Sequence, residues 1–280
     1  MQISIVIPIY NTIQHLLIGL PSIITLVSSK YTDFEIIIVK DTKETINGFD
    51  KLLNIKDNYK QIEIYYLNAN YGQHFATLCG FYLAKGKHIV SIDEDTVEYL
   101  TELCYDNNYI NYNIYYYLYS KNKIYNSINR IFLSKLFLRF YTFILNIKVH
   151  STYRIISKQL RDEILKKKHI YWEIDAMIQA QTDDIGYKSI SVNNITDKAS
   201  GYNYYKLFKM AFKICYEHCN TIVNLIFSLI LSLILYSITN LANFIVIIFL
   251  IIFFSGTLIY RIRKHTTSTT KAKILKALQN

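Results

Sequence analysis

Apolar β-branched residues fill positions 3 to 9, and the run ends at Pro8, Tyr10 and Asn11, the pattern of a buried parallel strand leading into a loop. Helical spacing of apolar residues follows over His15 to Ser28, and a second apolar run, Glu35 to Val39, ends at Lys40-Asp41-Thr42. This is a βαβ pattern. Ile62 to Leu67 predicts a third strand, Gln73 to Ala84 a helix, and Lys87 to Ile92 a fourth strand that ends in Asp93-Glu94-Asp95. The alternation predicts a doubly wound, mostly parallel sheet, in which ligands bind beyond the carboxyl ends of the strands. Asn11, Asp41, Asn70 and Asp93 all follow strand ends and are expected to converge on one crevice. Further along, Tyr112 to Tyr119 reads as a strand, Asn126 to Leu145 as a basic amphipathic helical region, and Ser157 to Lys168 as a surface helix.

From Thr221 to Tyr260 the chain carries no charged residue. One helical bilayer crossing takes about 20 residues, so the stretch predicts two transmembrane helices, with a turn at Ser237-Ile238-Thr239-Asn240 where small and polar residues interrupt the run. Lys206, Lys209 and Lys213 precede it, and Arg261, Arg263, Lys264, Lys271, Lys273 and Lys276 follow it, which places both ends on the cytoplasmic side by the positive-inside rule. The organisation expected is a cytosolic domain over 1–205, a juxtamembrane helix over 206–220, the membrane pair over 221–260 and a basic cytoplasmic tail over 261–280. The N-terminal residues lack the pattern of a signal peptide.

The 280 residues suit one substantial α/β domain with an appendage, and a 51% hydrophobic share with 19% charged residues agrees with some surface facing lipid. The net charge of +10 gathers near the membrane segment and over Lys121 to Lys168, which favours anionic headgroups and substrate phosphates over nucleic acid. Cys79, Cys104, Cys215 and Cys219 form no disulfide framework, and Cys215 to Cys219 with His218 offers only three soft ligands for a metal. A hydrophobic helix pair without intramembrane charge gives no transport pathway.

The richest segment runs from Asn70-Tyr71-Gly72-Gln73 to Asp93-Glu94-Asp95. Gly72 permits a tight entry to the helix, Ala76 and Gly80 let one helix face approach the sheet, and Gly86 turns the chain into the next strand. In an extended Asp-x-Asp the two carboxylates share a side, so Asp93 and Asp95 can act together on Mg²⁺ or Mn²⁺ bridging a diphosphate.

Together with Ser4-Ile5-Val6-Ile7-Pro8-Ile9-Tyr10-Asn11, Glu35 to Asp41 and Ser151-Thr152-Tyr153-Arg154, this segment resembles family 2 glycosyltransferases from Ile3 to about Tyr205, especially the branch with a polyprenyl phosphate acceptor. The resemblance implies a GT-A (nucleotide-diphospho-sugar transferase) fold with a C-terminal transmembrane hairpin. It implies transfer from a nucleotide-sugar to polyprenyl phosphate in cell-surface glycan synthesis at the cell membrane. Pro8, Tyr10, Asn11, Asp41, Asn70 and Gln73 would form the nucleotide-sugar pocket, Asp93 and Asp95 would hold the metal diphosphate, Arg154 would sit near phosphate, and Asp175 falls where the family often has an acid near the acceptor, a candidate general base that a phosphate acceptor would not require. Ser200-Gly201-Tyr202 resembles the family's segment just before the membrane.

The chain departs from the family at Lys40, where a paired acid is usual, at Thr96-Val97-Glu98-Tyr99 in place of Leu-Gln and a proline turn, and at Lys198 where an arginine is expected nearby. A lipid-linked glycan acceptor and a catalytically weakened nucleotide-sugar-binding membrane subunit remain as alternatives, and homo-oligomers are compatible with either.

Overall fold

The computed structural model describes residues 1–120, 146–167, 173–191 and 270–278, with the isolated positions 139, 142 and 256. The chain divides into two compact units, one of Met1–Lys121, Val149–Asn193 and Thr269–Asn280, the other of Asn122–Lys148 and Asn194–Ser268. Of the second unit, the described residues close a turn in which Ile147 N donates to Thr142 O at 3.1 Å and Asn146 takes a φ of 52°. The basic helical region, the juxtamembrane helix, the apolar pair over 221–260, Ser200-Gly201-Tyr202, Cys215 and Cys219 all lie outside the described residues. Among the described residues no helix is long and apolar enough to cross a membrane.

The first unit is built on strands β1 (Ile3–Ile9), β2 (Phe34–Lys40), β3 (Ile62–Tyr66), β4 (His88–Ser91), β5 (Ile114–Ser120), β6 (Arg154–Ser157) and β7 (Ile185–Ser191). Its helices are α1 (Gln14–Lys30), α2 (Phe49–Asn58), α3 (Gln73–Leu83), α4 (Thr101–Tyr105), α5 (Lys158–Lys166), α6 (Ile174–Gln179) and α7 (Thr270–Leu278). The seven strands form one sheet in the order β3-β2-β1-β4-β6-β5-β7. β1 pairs in parallel with β2 and β4, and β2 with β3, while β6 runs antiparallel to both β4 and β5 and β5 is parallel to β7. The five strands expected from the sequence are all present, β6 and β7 are additions to them, and β6 is the single reversal in the sheet.

β1 and β2 are buried along their full lengths, because helices cover both faces of the sheet. Ile3, Ile5, Ile7 and Ile9 pack into one core with Leu16, Leu20 and Val27 of α1, while Val6 packs into the other with Leu78, Cys79 and Phe81 of α3. The opposed cores follow from side-chain alternation along β1. Buried tyrosines serve this packing: Tyr115, Tyr116 and Tyr117 of β5 are all in the core, and the Tyr117 ring lies 4.4 Å from that of Tyr153.

The close approach of α3 to β1 depends on Gly80. A Cβ there would lie 2.1 Å from Val6 Cγ1. Gly80→Ala is expected to destabilise the unit by about 1–3 kcal/mol through overpacking, measured as a shift in denaturation midpoint, and Val6→Ala in the same chain is expected to recover part of the loss.

Candidate active site

The carboxyl ends of β1, β2, β3 and β4 carry the polar residues that the alternation predicts. Tyr10 and Asn11 are exposed beyond β1, whereas Pro8 is buried within it, paired with Val39. Asp41 follows β2 and is 2% exposed. Its Oδ1 accepts the Tyr71 amide and its Oδ2 the Gly72 amide, both at 2.7 Å, so the carboxylate pins the loop that enters α3. Burial raises the Asp41 carboxyl, and the two amides offset part of that rise. Gly72 has φ of 93°, a left-handed conformation that glycine adopts without steric cost, and its amide also donates to Asn70 Oδ1 at 3.1 Å.

α3 therefore starts at a fixed point, with Gln73 as its first residue. Gln73 Nε2 donates to Asp93 Oδ1. Burial raises the Asp93 carboxyl to about 6; the charge of Asp95 adds to the rise, while Arg154, Thr152 and Gln73 oppose it. Asp95 lies at the exposed side of the pair. A divalent cation held by oxygen ligands alone fits this donor set.

Behind Asp93 lies a buried ionic cluster. Arg154 stands opposite Ser91 of β4 and Tyr116 of β5, and its side chain is 3% exposed. Its Nε donates to Ser151 O at 3.0 Å and lies 3.0 Å from Asp175 Oδ1, while Nη2 donates to Asp175 Oδ2 at 3.2 Å. Asp175, fully buried in α6, also accepts from Tyr116 Oη at 3.0 Å and from His150 Nδ1 at 2.7 Å. Burial alone would raise the Asp175 carboxyl, but Arg154, His150 and Tyr116 outweigh it and hold the group below the usual carboxylate range. Burial likewise opposes the imidazolium of His150, yet Asp175 and Glu173 raise it. Arg154 therefore grips a protein carboxylate, and its charge also reaches Asp93.

His150, Glu173 and Asp175 each offer a ligand atom within 4.8 Å of the others. A cation fits poorly here, because Asp175 already receives Arg154, Tyr116 and His150, and a second positive charge would have to displace the guanidinium.

Glu173 carries no sequence signal, yet its buried carboxyl faces this cluster. It is 0% exposed, its Oε1 accepts the Asp175 amide at 3.4 Å, and its Oε2 lies 3.4 Å from His74 Nδ1. Burial and the Asp175 charge push it up to about 7, against the pull of His150 and Arg154. A raised carboxyl binds its proton more tightly in the folded chain than in the unfolded one, so its contribution to stability is complete below about 4.3, the unfolded value, and is lost as pH rises through the folded value. Glu173→Gln is accordingly expected to raise the melting temperature at pH 8 relative to the parent chain, with the difference shrinking to nothing at acid pH. Thermal scans across pH check this.

Lys40, which departs from the paired-acid pattern, is 6% exposed and donates to Thr42 O at 3.0 Å and Glu44 O at 2.7 Å. Its cation anchors the loop after β2.

A mixed seven-stranded sheet covered by helices on both faces, with an acidic turn at the carboxyl end of β4, is a GT-A-like α/β fold. The chain belongs to glycosyl transferase family 2, whose family model matches residues 4–165. Glu173 and Asp175 fall beyond the matched residues.

Over 96 residues the chain is 33% identical to an undecaprenyl-phosphate 4-deoxy-4-formamido-L-arabinose transferase of Proteus mirabilis (strain HI4320), covering 34% of this chain and 29% of that protein. The protein of the same name in Photorhabdus laumondii subsp. laumondii is 30% identical over 94 residues, with the same two shares of 34% and 29%. The matched stretch thus spans less than a third of these curated relatives. Among solved structures, glucosyl-3-phosphoglycerate synthase from Mycobacterium tuberculosis in complex with UDP superposes with a TM-score of 0.51 at 12% identity, covering 77% of this chain and 79% of that one. That likeness establishes the fold.

Proposed function

We propose that the chain transfers a sugar from a nucleotide-sugar to a membrane-borne polyprenyl phosphate, with inversion at the anomeric carbon. The observation that carries this reading is the convergence of Asp41, Gln73, Asp93 and Asp95 at the strand ends, with the Arg154 charge behind Asp93. Exposed Tyr10, Asn11 and Asn70 border the same strand ends and supply the remaining wall of the nucleotide pocket.

Asp93 and Asp95 would hold Mg²⁺ or Mn²⁺, which when bound neutralises the diphosphate as it departs. Gln73 keeps the Asp93 carboxylate in one orientation. An oxygen of the acceptor phosphate attacks the anomeric carbon, a new C–O bond forms there, and the bond to the diphosphate breaks with its electron pair leaving on the nucleoside diphosphate. A phosphate is already anionic near neutral pH and needs no general base. The engagement of Asp175 by Arg154 agrees with that, since an ion-paired, fully buried carboxylate is a poor base. Asp175 and Arg154 act as supports for the Asp93 region.

The curated relatives are named for transfer involving undecaprenyl phosphate, which supports the lipid phosphate as acceptor. The uncharged stretch over 221–260 and its basic flanks support a pair of membrane helices that hold the catalytic unit at the cytoplasmic face of the cell membrane. Lys40 bears on the weakened-subunit alternative: as a loop anchor it leaves the acidic turn after β4 intact, which favours turnover.

The test compares acceptors. Purified chain is given labelled nucleotide-sugars with Mg²⁺ or Mn²⁺ and, separately, undecaprenyl phosphate, undecaprenol or a lipid-linked glycan. Label on undecaprenyl phosphate and none on undecaprenol supports the reading; label only on the glycan moves the function to chain extension.

A further inference from the structure

The tail after the apolar stretch is not merely a basic extension. Its helix α7 belongs to the catalytic unit, with Ile274 and Ala277 buried in the core that contains α3. At its start Thr270 donates to Lys167 O through both its amide, at 3.2 Å, and its hydroxyl, at 2.6 Å. In its last turn the Lys276 and Ala277 carbonyls accept from Asn68. Asn68 N donates to Ala277 O and Asn68 Nδ2 to Lys276 O, each at 3.0 Å.

Asn68 sits in the loop between β3 and α3, and its Oδ1 accepts the Tyr71 hydroxyl at 2.7 Å. Tyr71 and Gly72 then give their amides to Asp41, and Gln73 its side chain to Asp93. Hydrogen bonds, together with the backbone of residues 71–73, therefore connect the tail helix with Asp41 and Asp93, and the Asn68–Lys276 contact that starts the connection joins residues 208 positions apart in the sequence.

We propose that α7 clamps the donor loop, with Asn68 as the positioning residue. The segment that follows the apolar stretch thereby sets the affinity of the crevice for the nucleoside diphosphate half of the donor. This rests on the nucleotide-sugar reading of the crevice, but the clamp itself is a claim about the loop backbone and is separately measurable. The loop turns at Gly72 with positive φ, and beside the local Asn70 contact it is tied to Asp41 and to α7. Removing the Asn68 side chain deletes one tie to α7 and the tie to Tyr71, leaving the Asn68 amide on Ala277 O, the Asn70 contact with Gly72 and the Asp41 contacts to hold the loop.

The test uses the full chain in detergent and the variants Asn68→Ala and Thr270→Val, the latter at the far end of α7. Hydrogen exchange at the Tyr71 and Gly72 amides is measured, along with affinity for UDP and GDP in the presence of Mg²⁺. Asn68→Ala is expected to speed exchange and weaken nucleotide binding by about tenfold each, and Thr270→Val to move both in the same direction by about two- to threefold. In turnover the donor KM rises while kcat changes little, a split that simple loss of fold would not produce. Unchanged exchange at Tyr71 and Gly72 in Asn68→Ala overturns the clamp. Faster exchange without weaker nucleotide binding overturns its role in donor affinity. A parent chain that binds neither nucleotide overturns the donor reading, and the exchange measurement still decides the clamp.

Discussion

Asp93→Asn is expected to lower kcat/KM for glycolipid formation by about 10²–10³-fold, or about 3–4 kcal/mol of transition-state stabilisation. Asparagine keeps an oxygen for Gln73 Nε2, so the start of α3 stays in place. It removes the negative charge that the cation needs, and the diphosphate then departs without its counter-charge. Asp93 is only partly buried, so the fold tolerates the change and the loss falls on activity. Steady-state rates with saturating Mn²⁺ measure it, and thermal scans of the same preparation separate chemistry from stability. A variant that keeps more than a tenth of the parent activity would remove Asp93 from the centre of the reaction.

Arg154→Met is expected to have the largest effect on stability, about 3–5 kcal/mol, because it leaves the fully buried Asp175 carboxylate without its main partner. Tyr116 and His150 remain on Asp175 and limit the damage. The double change Arg154→Met with Asp175→Asn is expected to recover part of the loss, since it removes the orphaned charge. Denaturant titrations of the parent, both single variants and the double variant give the coupling directly. Additive effects would mean that the two groups do not support one another in the folded chain.

The parallel half of the sheet was legible because strands buried on both faces read as near-continuous apolar runs, and Ile3 to Ile9 and Glu35 to Val39 are such runs. The reversal at β6 was not legible. Four residues, Arg154 to Ser157, carry too short a pattern to fix direction, and only tertiary pairing places them between β4 and β5. β7 alternates buried and exposed positions and includes Gly186, which weakens its strand signal.

In the site, Asp93 was readable as an acid after a strand, whereas Gln73 was readable only as a helix start and entered the site through the family resemblance; the structure brings the two into contact. Asp41 was readable as a strand-end acid, although its hold on the Tyr71 and Gly72 amides depends on a loop conformation that the sequence does not specify. Glu173 left no trace, because its character comes from burial beside Asp175 rather than from any local motif. α7 read as basic tail for a similar reason: Lys271, Lys273 and Lys276 dominate its composition, while the contacts that fold it back are Ile274, Ala277 and two carbonyls.

The most direct measurement of the central claim is mass spectrometry of the lipid fraction after the purified chain is incubated with a nucleotide-sugar, undecaprenyl phosphate and Mg²⁺ or Mn²⁺. The account predicts undecaprenyl phosphate heavier by one sugar residue, one nucleoside diphosphate released per product, and roughly a hundredfold or more less product from the Asp93→Asn chain in the same time. Unmodified lipid alongside a donor that demonstrably binds, or free sugar released into water in its place, would contradict it.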